Sequence, residues 1–244
     1  MYRVLANSLP KNGTHLLLKC LGEIPGYEFS GHEIDWSDPT RALGILESVR
    51  PGEFTKGHIP CFEEARDFVR SHELLVFNMI RDPRDNVISL VNYLMKHKHH
   101  PLHPHYARLE SAEARILATI CGFQDEQGEA VIRDIGWRLN NWVGWDKESK
   151  VTNLRFESLI GPKGGGDRDA QLSEINKILL TLGVSSHRLA ETIAERAFDT
   201  GVHSFRQGRI QGWKSVFTDE HKSAFKSAAN WALVHYEYEK DDSW

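Results

Sequence analysis

Apolar residues along this chain come in short runs separated by turn formers, and the spacing within each run assigns it to a strand or a helix. Val4 to Leu9 is short and largely apolar, which predicts a buried strand. Pro10-Lys11-Asn12-Gly13-Thr14-His15 interrupts it, and Leu16, Leu17, Leu18, Cys20 and Leu21 resume in a run that suits a helix. Residues 22–55 hold Gly22, Pro25, Gly26, Gly31, Pro39, Pro51 and Gly52, which predicts a loop-rich passage with one short helix near Thr40 to Ser48. Glu63 to His72 predicts a helix with Ala65, Phe68 and Val69 on one side. Leu74 to Ile80, LLVFNMI, is the best central-strand candidate. Asp82 then suits a helix N-cap and Pro83 the first helical position, ahead of an apolar face of Val87, Ile88, Leu90, Val91 and Leu94.

The second half reads less regularly. Residues 96–106, KHKHHPLHPHY, offer five histidines, but Pro101 and Pro104 deny them a helical face with fixed spacing. A flexible, partly charged loop is expected there, with a metal site as the alternative. Ser111 to Gly122 and Glu129 to Lys147 predict two helices, the second carrying Trp137, Trp142 and Trp145 as core or as an apolar substrate mouth. Val151 to Phe156 predicts a third strand, and Gly161 to Asp167 a mobile loop by composition. Leu172 to Leu182 and Leu189 to Ala197 read as helices, residues 198–217 show little periodicity, and Thr218 suits the N-cap of a last helix running to about Tyr238. Strands alternating with helices imply a mainly parallel, three-layer α/β sheet with helices on both faces.

Composition narrows the function. The 244 residues are 40% hydrophobic and 26% charged, enough for one sizeable domain. A net charge of -4 argues against general nucleic-acid affinity, so an anionic ligand has to be held by local positive charge. The three cysteines, Cys20, Cys61 and Cys121, make no close-spaced metal pair and no disulfide framework. No apolar run is long enough to span a bilayer, and a first strand starting almost at Met1 leaves no room for a targeting segment, so a cytoplasmic protein is expected.

Two places carry candidate chemistry. A strand, a tight turn and a helix aim free backbone N–H groups at an anion, and the turn adds the Lys11 charge, the Thr14 hydroxyl and the close approach that Gly13 permits. The alternative is an ordinary strand–helix turn, and the Walker sequence G-x-x-x-x-G-K-[ST] is absent. Arg81 falls at the carboxyl end of a predicted strand, where open α/β sheets bind ligands, or else forms a surface ion pair with Asp82 or Asp85.

These segments, taken together, resemble the sulfotransferases that use 3′-phosphoadenosine 5′-phosphosulfate (PAPS). Pro10-Lys11-Asn12-Gly13-Thr14 resembles their 5′-phosphosulfate loop, PKSGT-T-W, and Arg81 followed eight residues later by Ser89 resembles their 3′-phosphate motif. Arg206-Gln207-Gly208 with Gly212-Trp213-Lys214 and Phe217-Thr218 is similar to the late RKG-x-x-G-x-WK-x-x-FT block, and Lys56-Gly57-His58-Ile59-Pro60 to the K-T-H-x-P segment that carries the base. The four matches run in the family's order across nearly the whole chain, with no counterpart for about 97–148, which is expected to form a helical, substrate-side region of a single domain. Where the family pattern has Thr, Trp, Tyr and Lys, this chain has His15, Leu16, Phe156 and Gln207. The family's dimer motif is not recognisable, so the oligomeric state stays open.

The resemblance implies a P-loop NTPase-like sulfotransferase fold and a sulfuryl transfer from PAPS to a hydroxyl of a small or medium-sized molecule, releasing PAP without a metal. It implies that Lys11, Asn12, Gly13 and Thr14 hold the 5′-phosphosulfate, with His15 at the loop's second Thr position and Leu16 at the position of the Trp that flanks the adenine, both in the nucleotide site. Arg81, Ser89, Arg206, Gln207 and Gly208 would hold the 3′-phosphate, with Phe156 near the adenine. His58 would be the base, with Lys11 and Lys56 close to the transferring group. His15, His32 and Glu33 are rival bases, and His58 could simply hydrogen-bond to backbone. A metabolite kinase of related fold and a non-catalytic nucleotide-binding module are the alternatives.

Overall fold

The computed structural model describes residues 1–197 and 210–244. Along the chain the elements are β1 (Arg3–Ser8), α1 (Thr14–Gly22), β2 (Glu28–Asp35), α2 (Pro39–Ser48), β3 (Glu53–His58), α3 (Glu63–Ser71) and β4 (Leu74–Ile80). Then come α4 (Pro83–Lys96), α5 (His103–Ala107), α6 (Ala112–Cys121), β5 (Phe123–Gln124), β6 (Ala130–Ile132) and α7 (Ile135–Asn140). The rest are β7 (Val151–Arg155), α8 (Phe156–Leu159), α9 (Arg168–Thr181), α10 (His187–Arg196) and α11 (Asp219–His235). They fall into two compact units, Met1–Arg81 with Trp142–Ile210, and Asp82–Asn141 with Gln211–Trp244.

The first unit is built on a five-stranded sheet in the order β2-β3-β1-β4-β7, every pairing parallel. Alternation along each strand divides its side chains between two cores. Val4, Ala6, Phe77, Met79 and Leu154 face α1, α9 and α10, while Leu5, Leu74 and Val76 face α2, α3 and Trp145. This is the expected three-layer α/β architecture. β1 takes the middle of the sheet and the LLVFNMI strand lies beside it, each buried on both faces as parallel strands require.

Two strands occupy the passage that reads as loop. β2 is an edge strand whose residues are mostly exposed, so it has no apolar run to betray it. β3 is buried but polar: Glu53, Thr55 and Lys56 are inside it, each satisfied by a partner. Arg50 reaches Glu53 at 2.5 Å, Thr55 donates to the His32 carbonyl at 2.9 Å, and Lys56 reaches Glu33 at 2.9 Å. The Gly161–Asp167 stretch is a hydrogen-bonded turn, with Gly164 and Gly166 N–H groups on the Gly161 carbonyl at 3.0 and 2.8 Å. A Cβ on Gly161 would stand 2.3 Å from the Gln171 side chain, so glycine there serves close packing.

The second unit is mainly helical. Asp82 caps α4 by accepting from the Arg84 N–H at 2.9 Å, with Pro83 following, as its sequence predicts. Thr218 and His221 form a reciprocal capping box at the start of α11. Leu90, Val91, Leu94, Ile116, Ile120, Ile135, Leu139, Phe225 and Leu233 are among its buried apolar residues. The expected helix over Glu129 to Lys147 is not formed. A β5–β6 hairpin with Gly128 at φ 82° precedes Asp134, which caps the short α7 by accepting from the Trp137 N–H at 2.8 Å. Trp142 and Trp145 belong to the other unit, so the three tryptophans do not form one stripe. Trp137 is 51% exposed, whereas Trp145 is fully buried and donates its indole N–H to the Ile59 carbonyl at 2.9 Å. The histidine-rich segment ends in α5, where the His103 ring meets the Leu94 carbonyl at 2.8 Å. No group of three or more metal-ligating side chains occurs among the described residues.

Candidate active site

β1 and β3 run parallel and end side by side, so the turn after β1 and the last residues of β3 meet at the carboxyl edge of the sheet. Asn7, fully buried on β1, fixes the exit of β3. Its side chain accepts from the Ile59 N–H and donates to the Ile59 carbonyl, both at 2.9 Å. His58, one residue earlier, is thereby held with its Nδ1 at 2.8 Å from the Ser8 carbonyl. A carbonyl oxygen only accepts, so neutral His58 carries its proton on Nδ1 and keeps Nε2 as the basic nitrogen.

The turn between β1 and α1 is strained and braced. Lys11 has φ 75° and Gly13 has φ 97°, both left-handed. The Arg81 guanidinium donates through Nη1 to the Lys11 carbonyl at 3.1 Å, and the Asn12 side chain donates to the Met79 carbonyl at 3.2 Å. Thr14 lies with its hydroxyl 2.6 Å from that of Ser8. Gly13 is the N-cap of α1, and its carbonyl accepts from the Leu16 N–H at 3.0 Å. Phe156 packs beneath it: a Cβ on Gly13 would stand 2.3 Å from the Phe156 ring. Gly13→Ala is therefore expected to destabilise the fold by about 2–4 kcal/mol, from left-handed strain and overpacking. Urea unfolding of both proteins checks this, and an unchanged midpoint would refute it.

The electrostatics are those of a small cationic patch with one acid. Glu33 lies opposite Lys56 across the β2–β3 pair, and its bond to Lys56 holds its carboxyl below the usual range. Burial lowers the pKa of His58 first. The Ser8 carbonyl opposes that push, Lys56 and His15 add to it, and Glu33 opposes it. His15 feels burial, then Lys56, both downward, then Glu33 upward and Lys11 downward. His15 is exposed, so water screens much of this. His58 is thus neutral at pH 7 within electrostatic reach of Lys56, which suits proton abstraction near a concentrated negative charge.

Of the residues that the resemblance points to, Lys11, Asn12, Gly13, Thr14, His15, Lys56, His58, Arg81 and Phe156 all lie in the first unit. Leu16 and Phe156 are buried in the core, 7% and 3% exposed, so they support the turn from below. Arg81 stacks 4.3 Å over the Phe156 ring, and its Nε is buried with no hydrogen-bond partner among the described residues. Ser89 is half-buried on α4 in the second unit. Arg206, Gln207 and Gly208 lie outside the described residues. Sequence reasoning overlooked the Asn7 clamp and the Ser8 carbonyl. A buried Asn in an otherwise apolar strand was the one available signal for the first, and a backbone carbonyl leaves none.

This architecture is the sulfotransferase fold. The chain is similar to mouse sulfotransferase SULT7A1 complexed with PAP, at TM-score 0.63 and 16% identity over 98% of this chain and 89% of that one. It is also similar to retinol dehydratase in complex with androsterone and inactive cofactor PAP, at TM-score 0.60 and 16% identity over 95% and 80% of the two chains. Retinol dehydratase in a complex with retinol and PAP gives TM-score 0.60 and 16% identity over 95% and 81%. No family model and no curated protein matches the chain. No described helix is long and apolar enough to cross a membrane.

Proposed function

We propose that this protein is a PAPS-dependent sulfotransferase of the cytoplasm, acting on a hydroxyl of a small or medium-sized molecule. The observation that carries the reading is His58: neutral, its Nδ1 committed to the Ser8 carbonyl, and within electrostatic reach of Lys56 and His15 at the edge of the sheet. The residues present fit the donor. Arg81 brings a half-buried cation whose buried Nε has no hydrogen-bond partner among the described residues, and the turn brings Lys11 and the start of α1. When bound, PAPS supplies the sulfuryl group. Lys11, Asn12, Gly13 and Thr14 hold its 5′ end, Arg81 and Ser89 with Arg206 and Gly208 its 3′-phosphate, and the neighbours' PAP supports that assignment. His58 accepts the proton of the acceptor hydroxyl at Nε2. Lys11 and the start of α1 meet the negative charge that grows on a leaving phosphate oxygen. The androsterone and retinol of the retinol dehydratase structures indicate the size of acceptor to try first.

Calorimetry with PAP and with adenosine 5′-monophosphate tests the reading. A charge-assisted hydrogen bond contributes about 1.5–3 kcal/mol, so PAP is expected to bind roughly ten- to a hundredfold more tightly. Arg81→Ala is expected to remove most of that preference. Equal affinity of the wild type for the two nucleotides would end the assignment.

A further inference from the structure

Arg84 is heavily engaged within the second unit, and neither its place in the sequence nor the chemistry of the candidate site accounts for it. Its side chain is 3% exposed. It bonds Asp82, the N-cap of α4, through Nε at 3.0 Å and Nη2 at 2.8 Å, and Glu239 through Nη1 at 2.5 Å. Two indoles cover it: its Cζ lies 3.8 Å from the Trp213 ring centroid and 4.6 Å from that of Trp244. The two rings meet edge to face at 5.4 Å and 84°. A guanidinium with two carboxylates in its plane and rings against it has little freedom left.

The three segments joined at Arg84 are far apart in sequence. Asp82 directly follows Arg81 in the chain. Trp213 stands in the Gly212-Trp213-Lys214 turn, near the start of the unit's second segment, which begins at Gln211. Glu239 and Trp244 belong to the segment after α11, and Trp244 is itself anchored by an indole N–H to Asn230 at 2.8 Å. A second tie runs in parallel, from the Trp213 backbone N–H to the Asp85 carboxylate at 2.9 Å. The Trp213 indole N–H is buried with no hydrogen-bond partner among the described residues, and the ring packs against Arg84, Phe217 and Trp244.

We infer that Arg84, with Trp244 as its lid, is a positioning device for the 3′-phosphate end of the donor site. It fixes the start of α4, which bears Ser89, against the Gly212-Trp213-Lys214 turn of the same unit. The inference rests on the proposed sulfotransferase reading. Trp244 acts on the start of α4 through Arg84 and Trp213, the groups its ring covers. Replacing it loosens one wall of the clamp and leaves the two carboxylate bonds of Arg84 in place.

The test measures PAP and adenosine 5′-monophosphate affinity by calorimetry for the wild type, Trp244→Ala, Trp244→Phe and Arg84→Lys, with a thermal melt of each. Trp244→Ala is expected to cut the preference for PAP at least fivefold, and the donor KM is expected to rise by more than kcat falls. Trp244→Phe keeps a ring over the guanidinium and is expected to restore most of the preference. Arg84→Lys keeps the charge but loses the planar fork, and is expected to behave like Trp244→Ala. If Trp244→Ala and Arg84→Lys melt lower yet keep the full PAP preference, the cluster is structural only and the inference fails. If the wild type shows no preference, it is the sulfotransferase reading that fails.

Discussion

His58→Ala is expected to lower turnover by about 10²–10⁴-fold while leaving PAP affinity within about threefold, the loss typical of removing a positioned base. The geometry assigns that role to one nitrogen. Nδ1 is spent on the Ser8 carbonyl, so Nε2 holds the lone pair, and Asn7 and Trp145 lock Ile59 directly after it. The pH profile carries the sign. Partial burial, Lys56 and His15 all favour the neutral ring, with the Ser8 carbonyl and Glu33 opposing, and the net shift is downward from 6.5. The acid limb of kcat/KM is therefore expected below 6.5, where an unperturbed histidine would already be half protonated. Removing the Glu33 charge takes away one of the influences that raise this pKa, so Glu33→Gln should move the limb lower still. Glu33 is itself a poor base because its bond to Lys56 keeps it ionised and weakly basic. Rates measured against pH for wild type, His58→Ala and Glu33→Gln decide the matter. If His58→Ala turns over normally and Glu33→Gln does not, the carboxylate is the base. The same shift touches stability: the unfolded chain binds the proton more readily than the fold does, so this histidine costs stability as pH falls through 6.5.

What the sequence made legible follows burial. β1, β4 and α4 were readable because both faces of the strands are apolar and because Asp82 and Pro83 mark the helix start in side-chain chemistry. β2 and β3 were not, since β2 is solvated at the edge and β3 buries ion-paired residues where periodicity looks for aliphatic ones. Lys56 is buried inside the sheet and faces Glu33 across that pair at 2.9 Å, and a buried charge of this kind is where pattern rules break. The 129–147 segment misled for the opposite reason. Its tryptophans have helical spacing, but Gly128 and Asp134 impose a turn and a new cap, and Trp145 goes to a different core. At the site, Lys11, Lys56, His58 and Arg81 were visible as motif residues. Their couplings run through the carbonyls of Ser8 and Lys11, which every residue possesses and no sequence pattern marks.

Lys11→Ala is expected to lower turnover by about 10²–10³-fold at saturating donor, the scale on which a donor to a developing oxyanion acts. Binding alone would show in the donor KM. A contact that strengthens as charge moves onto the leaving oxygen shows in kcat, which is the distinction to measure. The backbone at this position supplies a control. Lys11 is held at φ 75°, a conformation that costs a non-glycine residue about 1–2 kcal/mol, and its carbonyl is pinned by Arg81. Glycine relieves the strain and gives back part of the gain as unfolded-state entropy. Lys11→Gly is therefore expected to raise stability by about 0.5–1 kcal/mol while losing turnover as Lys11→Ala does. Lys11→Arg keeps the charge with a different reach and is expected to recover only part of the rate. A Lys11→Ala enzyme with normal kcat would show that the lysine only binds. A Lys11→Gly protein less stable than wild type would show that the left-handed turn depends on the lysine side chain.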